Sequence, residues 1–317
     1  MKEIHHHFSK IAHEYEDLRT TDIEPILFIK NKLRNLTKIK GIDIGCGGGR
    51  YDIELFNHIG KSLYLICIDY NENMLRKLNK NLREHNIKEF DAVRASAIIL
   101  PLIADYFDML VTFNAVHHFN LLDFLKESSR VLKNKGRLFI YTRLQSQNQR
   151  NIWGRFFPKF HEKEKRLLEI NEFEKTLKKI SDLVLESIEY FKYKRKANLK
   201  WLIKQARKHH YSTFSLYSKK EFEESLKEFQ LNIISHFRSP DKIVWNDENV
   251  MFSVRKLSAH CWQRIDLRQK GIVNIRRTRG PLRKLPSVPC RRSGLPFAGF
   301  RVAGRIALPL RSAMSEL

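Results

Sequence analysis

Residues 43–49 read Asp-Ile-Gly-Cys-Gly-Gly-Gly, and a carboxylate two residues ahead of a run of glycines is a ligand-binding combination. Gly45, Gly47, Gly48 and Gly49 have no Cβ, so the chain can take φ > 0 and a ligand can lie against bare backbone. The helix predicted from Tyr51 aims its unpaired N–H groups into the same space. Downstream, the apolar run 63–68 ends in Asp69, and a carboxylate at such a strand end can accept both hydrogens of a ribose diol. A dinucleotide loop wants G-x-G-x-x-G, but Arg50 stands at its third glycine. Asp43 as a fixed negative charge repels a pyrophosphate and attracts a ligand carrying an ammonium and a sulfonium. The charge therefore favours S-adenosyl-L-methionine over NAD.

The string D-I-G-C-G-G-G resembles the first motif of the class I S-adenosylmethionine-dependent methyltransferases, in the type 11 branch that includes the quinone C-methyltransferases. The likeness runs through residues 39–143. Residues 95–102, A-S-A-I-I-L-P-L, are similar to the family's D-A-x-x-L-P-F loop, and residues 130–140 resemble its passage from fourth helix to fifth strand. The resemblance implies a methyl donor bound by Asp43, Gly45, Cys46, Gly47, Asp69, Tyr70, Ser96, Ala97 and Asn114, with Met74 flanking the adenine. It also implies a lid helix bearing Tyr15 and Arg19 in a Y-x-x-x-R setting. Ser96 stands where the family has an aspartate toward the adenine amino group, so that bond loses its charge.

The elements that position these residues follow from periodicity. Apolar stripes at helical spacing predict helices over 8–19, 22–34 with Asp22 as N-cap, 51–59, 71–85 and 121–133, and further on over 162–179, 199–208 and 218–229. A Ser218/Glu221 capping box opens the last of these. Apolar runs predict strands at 39–44, 63–68, 90–94, 107–113, 137–141, 231–237 and 250–255. The fold class is α/β: a Rossmann-like, seven-stranded, mostly parallel sheet with helices on both faces, plus a helical insertion at 145–211 after strand 5. Strand C-termini are where such sheets bind ligands, so Asn114 and His117 fall beside donor and acceptor. His117 has the pKa range of a general base, although packing explains a histidine there as well. His209 and His210 are alternative bases, and their adjacency allows at most one to face the pocket. The insertion walls the acceptor pocket, with Trp153, Phe156, Phe157 and Phe160 as an aromatic lining.

The 317 residues are 42% hydrophobic, enough for a packed core, with a net charge of +24. Residues 257–317 carry 13 Lys/Arg against 2 Asp/Glu, five of the nine prolines and no periodic pattern. They read as a disordered tail, either an RNA-binding arm or a segment appended by a frame shift or gene junction. The domain proper is then 1–256. Cys46, Cys67, Cys261 and Cys290 show no metal-ligand spacing, and neither a disulfide framework nor a metal is implied. No run reaches the ~20 apolar residues of a membrane span, which reads as cytoplasmic. The expected activity is methyl transfer from S-adenosylmethionine to a small organic acceptor. Two alternatives remain. One is an RNA methyltransferase, because G-I-D-I-G-C-G-G-G-R-Y and A-V-H-H-F also resemble tRNA wobble-uridine enzymes. The other is a non-catalytic, donor-binding partner subunit.

Overall fold

A computed structural model describes residues 20–258. Tyr15, Arg19 and the predicted helix 8–19 lie outside the described residues, as does all of the basic tail beyond residue 258.

The order of elements begins with α1 (Glu24–Leu33), β1 (Ile39–Ile44), α2 (Arg50–Ile59), β2 (Leu63–Asp69), α3 (Glu72–Glu84), β3 (Phe90–Arg94), β4 (Phe107–Phe113) and α4 (Leu121–Val131). It continues with β5 (Leu132–Thr142), α5 (Gln145–Arg150), α6 (Ile152–Phe156), α7 (Phe160–Lys163), α8 (Ile170–Leu177), β6 (Leu183–Ala197), α9 (Leu199–Arg207), α10 (Lys219–His236) and β7 (Ile243–Lys256). One seven-stranded sheet has the order β3-β2-β1-β4-β5-β7-β6. The pairings from β3 to β5 are parallel, and β7 is antiparallel to both its neighbours. The predicted Rossmann-like architecture is therefore present.

Alternation along the strands feeds two cores. Ile42, Ile44 and Ile68 point to one face, with Phe124 of α4 and Phe173 of α8. Leu63, Leu65, Cys67 and Met109 point to the other, with Ile26 of α1, Leu55 of α2 and Leu78 of α3. A third core, built on Trp153, Phe157, Phe160, Phe214 and Phe229, holds α6, α7, α9 and α10 together.

Two sequence expectations fail here. Residues 231–237 are not the sixth strand; they complete α10, whose buried Phe222, Leu226, Phe229 and Ile233 repeat at helical spacing while Leu231 and Ile234 are exposed. The β-branched content of that stretch misled where the period decides. The sixth strand instead lies within the predicted helical insertion, as the 15-residue β6. Likewise the single helix expected over 162–179 is two short ones, α7 and α8. The Ser218 N-cap holds, its Oγ accepting the Glu221 N–H at 3.2 Å.

Beyond β5, residues 243–249 of β7 pair only with 191–197 of β6, so the two strands run on as a ribbon past the sheet's ligand edge.

Candidate functional site

The glycine loop is shaped by its neighbours on both sides. Gly45, Gly47 and Gly49 all take left-handed φ, at 74°, 57° and 87°. The Gly45 and Cys46 N–H groups donate to the Ile68 carbonyl at 2.8 and 3.1 Å, and the Gly47 N–H donates to Asp69 Oδ2 at 2.9 Å. Asp69 Oδ1 accepts the Asn71 N–H at 2.8 Å, which sets the entry to α3, where Asn71 caps the Asn73 and Met74 N–H groups. From α3, the buried Asn81 donates to the Gly48 carbonyl at 2.7 Å. Asp69 thus joins the end of β2 to the loop that β1 delivers.

A Cβ on Gly45 would stand 2.5 Å from that of Ala115. Gly45→Ala combines this clash with a left-handed φ and is expected to lower stability by about 2 kcal/mol, read as a shifted urea midpoint. Near-parent stability would contradict the packing.

Asp43 requires a correction. It is 2% exposed and faces Asp52 of α2, which is 0% exposed, rather than standing as an open charge toward a ligand. Burial, reinforced by Asp52 and then Asp69, pushes the Asp43 carboxyl far up, and burial raises Asp52 to about 7. Burial and the facing carboxylate thus favour the protonated form of Asp43 and disfavour two negative charges on the pair.

The other expected donor residues lie around the same strand ends. Tyr70 is 61% exposed just beyond Asp69, with the Arg94 guanidinium 5.7 Å from its ring centroid. Met74 is buried on α3, Cys46 is buried in the loop, and Ser96 and Ala97 are half-buried after β3. Ser96 is bridged to Ile99. Asn114 follows β4 at φ 54°, a left-handed backbone uncommon outside glycine.

Asn114 also lines a cavity of about 230 Å³ with His117, His210, Trp153 and Tyr51. Its floor is the ends of β4 and β5, and the β6–β7 ribbon supplies one wall. His210 is buried, and its Nδ1 lies 3.0 Å from the Gln205 carbonyl, which can only accept. The neutral ring therefore carries its proton on Nδ1 and its lone pair on Nε2. His209 is not among the lining residues. Of the four expected aromatics, only Trp153 reaches this cavity; Phe157 and Phe160 are buried in the third core, and Phe156 packs against His236 and Phe237.

The sequence reading missed an ionic lattice around the cavity. Asp22, expected as an N-cap, instead accepts Arg195 Nη2 at 2.7 and 2.9 Å and the Tyr141 hydroxyl at 3.3 Å, while Ile23 caps α1. Arg143 pairs with Asp247, and its Nη1 donates to the Tyr211 hydroxyl at 3.2 Å. Burial opposes the Arg143 charge, but Asp247 and Tyr211 outweigh it and raise its pKa. The alternation of 192–196, Lys-Tyr-Lys-Arg-Lys, is the local signal for this strand, and it has no apolar face by which periodicity detects a strand.

Residues 42–140 match the family model described as a methyltransferase domain. A demethylmenaquinone methyltransferase of Lactococcus lactis is 31% identical over 34% of this chain and 43% of its own length. A ubiquinone biosynthesis O-methyltransferase of Pelagibacter ubique is 31% identical over 42% of this chain and 55% of its own. The chain thus spans about half the length of these curated relatives. A solved structure of a methyltransferase candidate from Bacillus halodurans superposes with TM-score 0.55 at 15% identity, covering 75% of this chain and all of that one, a likeness of fold alone. Among the described residues no helix is long and apolar enough to cross a membrane.

Proposed function

We propose that the chain, whose residues 42–140 match a methyltransferase domain, is a class I S-adenosylmethionine-dependent methyltransferase and that its domain, residues 1–256, methylates a small organic acceptor. The observation that carries this reading is Asp69. Its carboxylate braces the glycine loop through Gly47, and the loop abuts Ala115, the neighbour of cavity-lining Asn114. Donor loop and acceptor cavity thereby share a wall, the arrangement a direct transfer needs.

Bound donor supplies an electrophilic methyl on a sulfonium. Asp69 holds the loop and offers its carboxylate toward a ribose, with Tyr70 and Met74 near it in sequence at the start of α3. The acceptor is oriented by the cavity. Where its nucleophile bears a proton, His210 Nε2 takes it, with His117 the alternative on the same wall. His210→Gln is then expected to lower turnover of a proton-bearing acceptor at least about a hundredfold with donor affinity kept; unchanged turnover removes His210 from the role.

Calorimetry with S-adenosylmethionine, followed by radiolabelled methyl transfer into a metabolite extract and into RNA, tests the whole reading. Binding with label in small molecules supports it. Binding without any labelled product would make the chain a donor-binding partner subunit. An RNA acceptor is the second reading, favoured by the exposed Lys192, Lys194 and Lys196 of β6. Incorporation into RNA that falls steeply with salt would select it.

A further inference from the structure

The cavity has the wrong lining for a hydrocarbon chain. Among the described residues that form it, Leu167 is the one aliphatic side chain, and the rest are charged, hydroxyl, amide, imidazole or aromatic groups. An isoprenoid or acyl tail laid against them would strip those groups of water and return no hydrogen bond.

The charges there do not cancel either. Arg195 is taken by Asp22, Arg143 by Asp247, and Glu164 by Arg166. Two lining cations remain, Arg50 and Lys196, and neither pairs with a carboxylate among the described residues. Arg50 gives its Nη1 to the Thr20 carbonyl at 2.7 Å and Thr21 Oγ1 at 3.2 Å, and its guanidinium lies 4.3 Å from the Tyr51 ring centroid. That leaves Lys196, exposed near the end of β6, where it is paired in register with Val244 of β7. Trp201 of α9 and Trp245 of β7 line the same cavity.

Resting on the methyl-transfer reading, we infer that the acceptor is a compact acid, bearing a carboxylate or phosphate that Lys196 receives while its planar body lies against the tryptophans. Excess positive charge in a partly desolvated cavity raises both the encounter rate and the affinity of an anion. Lys196 is then a specificity residue: it selects the acceptor and leaves the donor untouched.

The test incubates the full chain with radiolabelled S-adenosylmethionine and a metabolite extract. Products are divided between an organic phase, an RNA precipitate and an anion-exchange column, and the column eluate is treated with phosphatase to separate phosphates from carboxylates. Label retained on the column is expected. Lys196→Gln should lower that incorporation about tenfold, the loss of one charge-assisted contact, with donor affinity by calorimetry within about twofold of the parent. Lys196→Arg should restore most of it. Label in the organic phase or in RNA, or incorporation indifferent to Lys196→Gln, overturns the inference while leaving methyl transfer standing. Failure of the parent protein to bind donor, or binding with no label in any fraction, removes the underlying reading and the inference with it.

Discussion

Asp69→Ala is expected to weaken S-adenosylmethionine binding about a thousandfold while the sheet still folds. Besides accepting the Gly47 and Asn71 N–H groups, the carboxylate is proposed to accept both hydroxyls of a ribose diol through two charge-assisted hydrogen bonds. Bonds of this kind contribute roughly 1.5–3 kcal/mol each, and every 1.4 kcal/mol is tenfold in affinity. Alanine leaves the Gly47 N–H without its acceptor and removes the carboxylate proposed to hold the ribose. The loop does not collapse altogether, because the Gly45 and Cys46 bonds to Ile68 and the Asn81 bond to Gly48 are made by other residues. Asp69→Asn is the sharper variant. Its amide keeps one acceptor oxygen but turns two donor hydrogens toward an N–H that also donates, so it should lose nearly as much as alanine. Calorimetric titration reads the affinity, and circular dichroism with a melting curve shows whether the fold survives. Unchanged binding by either variant would sink the donor-site assignment.

The parallel half of the fold was legible because its signals are local. Strands buried on both faces write continuous apolar runs, as at 63–68, and the glycine loop and Asp69 lie at the spacing a strand–loop–helix unit imposes. Backbone constraint made the loop readable: three of its glycines stand at φ values other residues resist. The antiparallel half was not legible in the same way. The long strand β6 is exposed along its outer side, so its composition, rich in lysine and tyrosine, carries no apolar run, whereas the end of α10 carries Leu231, Ile233 and Ile234. The acceptor site was harder still. Asp22 and Arg195 are 173 residues apart, and Arg143 and Asp247 are 104 apart. Ion pairs formed across such distances depend on which strand lies at the sheet's edge, and no spacing rule recovers them. Asp43 shows the limit within a correctly identified motif. It stands two positions before Gly45 as the motif has it, but its charge is set by burial and then by Asp52, nine positions on and in the first turn of α2.

That pair makes stability depend on pH in a direction opposite to most carboxylates. Unfolded aspartates release their protons near pH 3.9. In the folded chain burial holds the Asp52 proton to about 7 and pushes that of Asp43 up as well, with Cys46, Cys67 and the Asp69 carboxylate among the ionisable groups around them. Below about pH 4 both states are protonated and the pair's contribution is fully present. Between about 4 and 7 the unfolded chain gives up a proton that folded Asp52 keeps, so stability falls as pH rises, by an amount on the order of 4 kcal/mol from Asp52 alone. Above 7 Asp52 ionises in the folded state as well, and its share of the slope ends. Asp52→Asn retains an oxygen to accept from the Asp43 carboxyl and removes one titrating group. It is expected to be more stable than the parent at pH 8, equal or slightly weaker at pH 5, and at least halved in its loss of stability between them. Urea unfolding midpoints at pH 5, 6, 7 and 8 measure this, with the difference between variant and parent cancelling the other titrating groups. Parallel curves for the two proteins would show that Asp52 is ionised in the folded chain. Asp43 would then lie against a full negative charge beneath the glycine loop, and the fixed-charge account of donor preference would regain its footing.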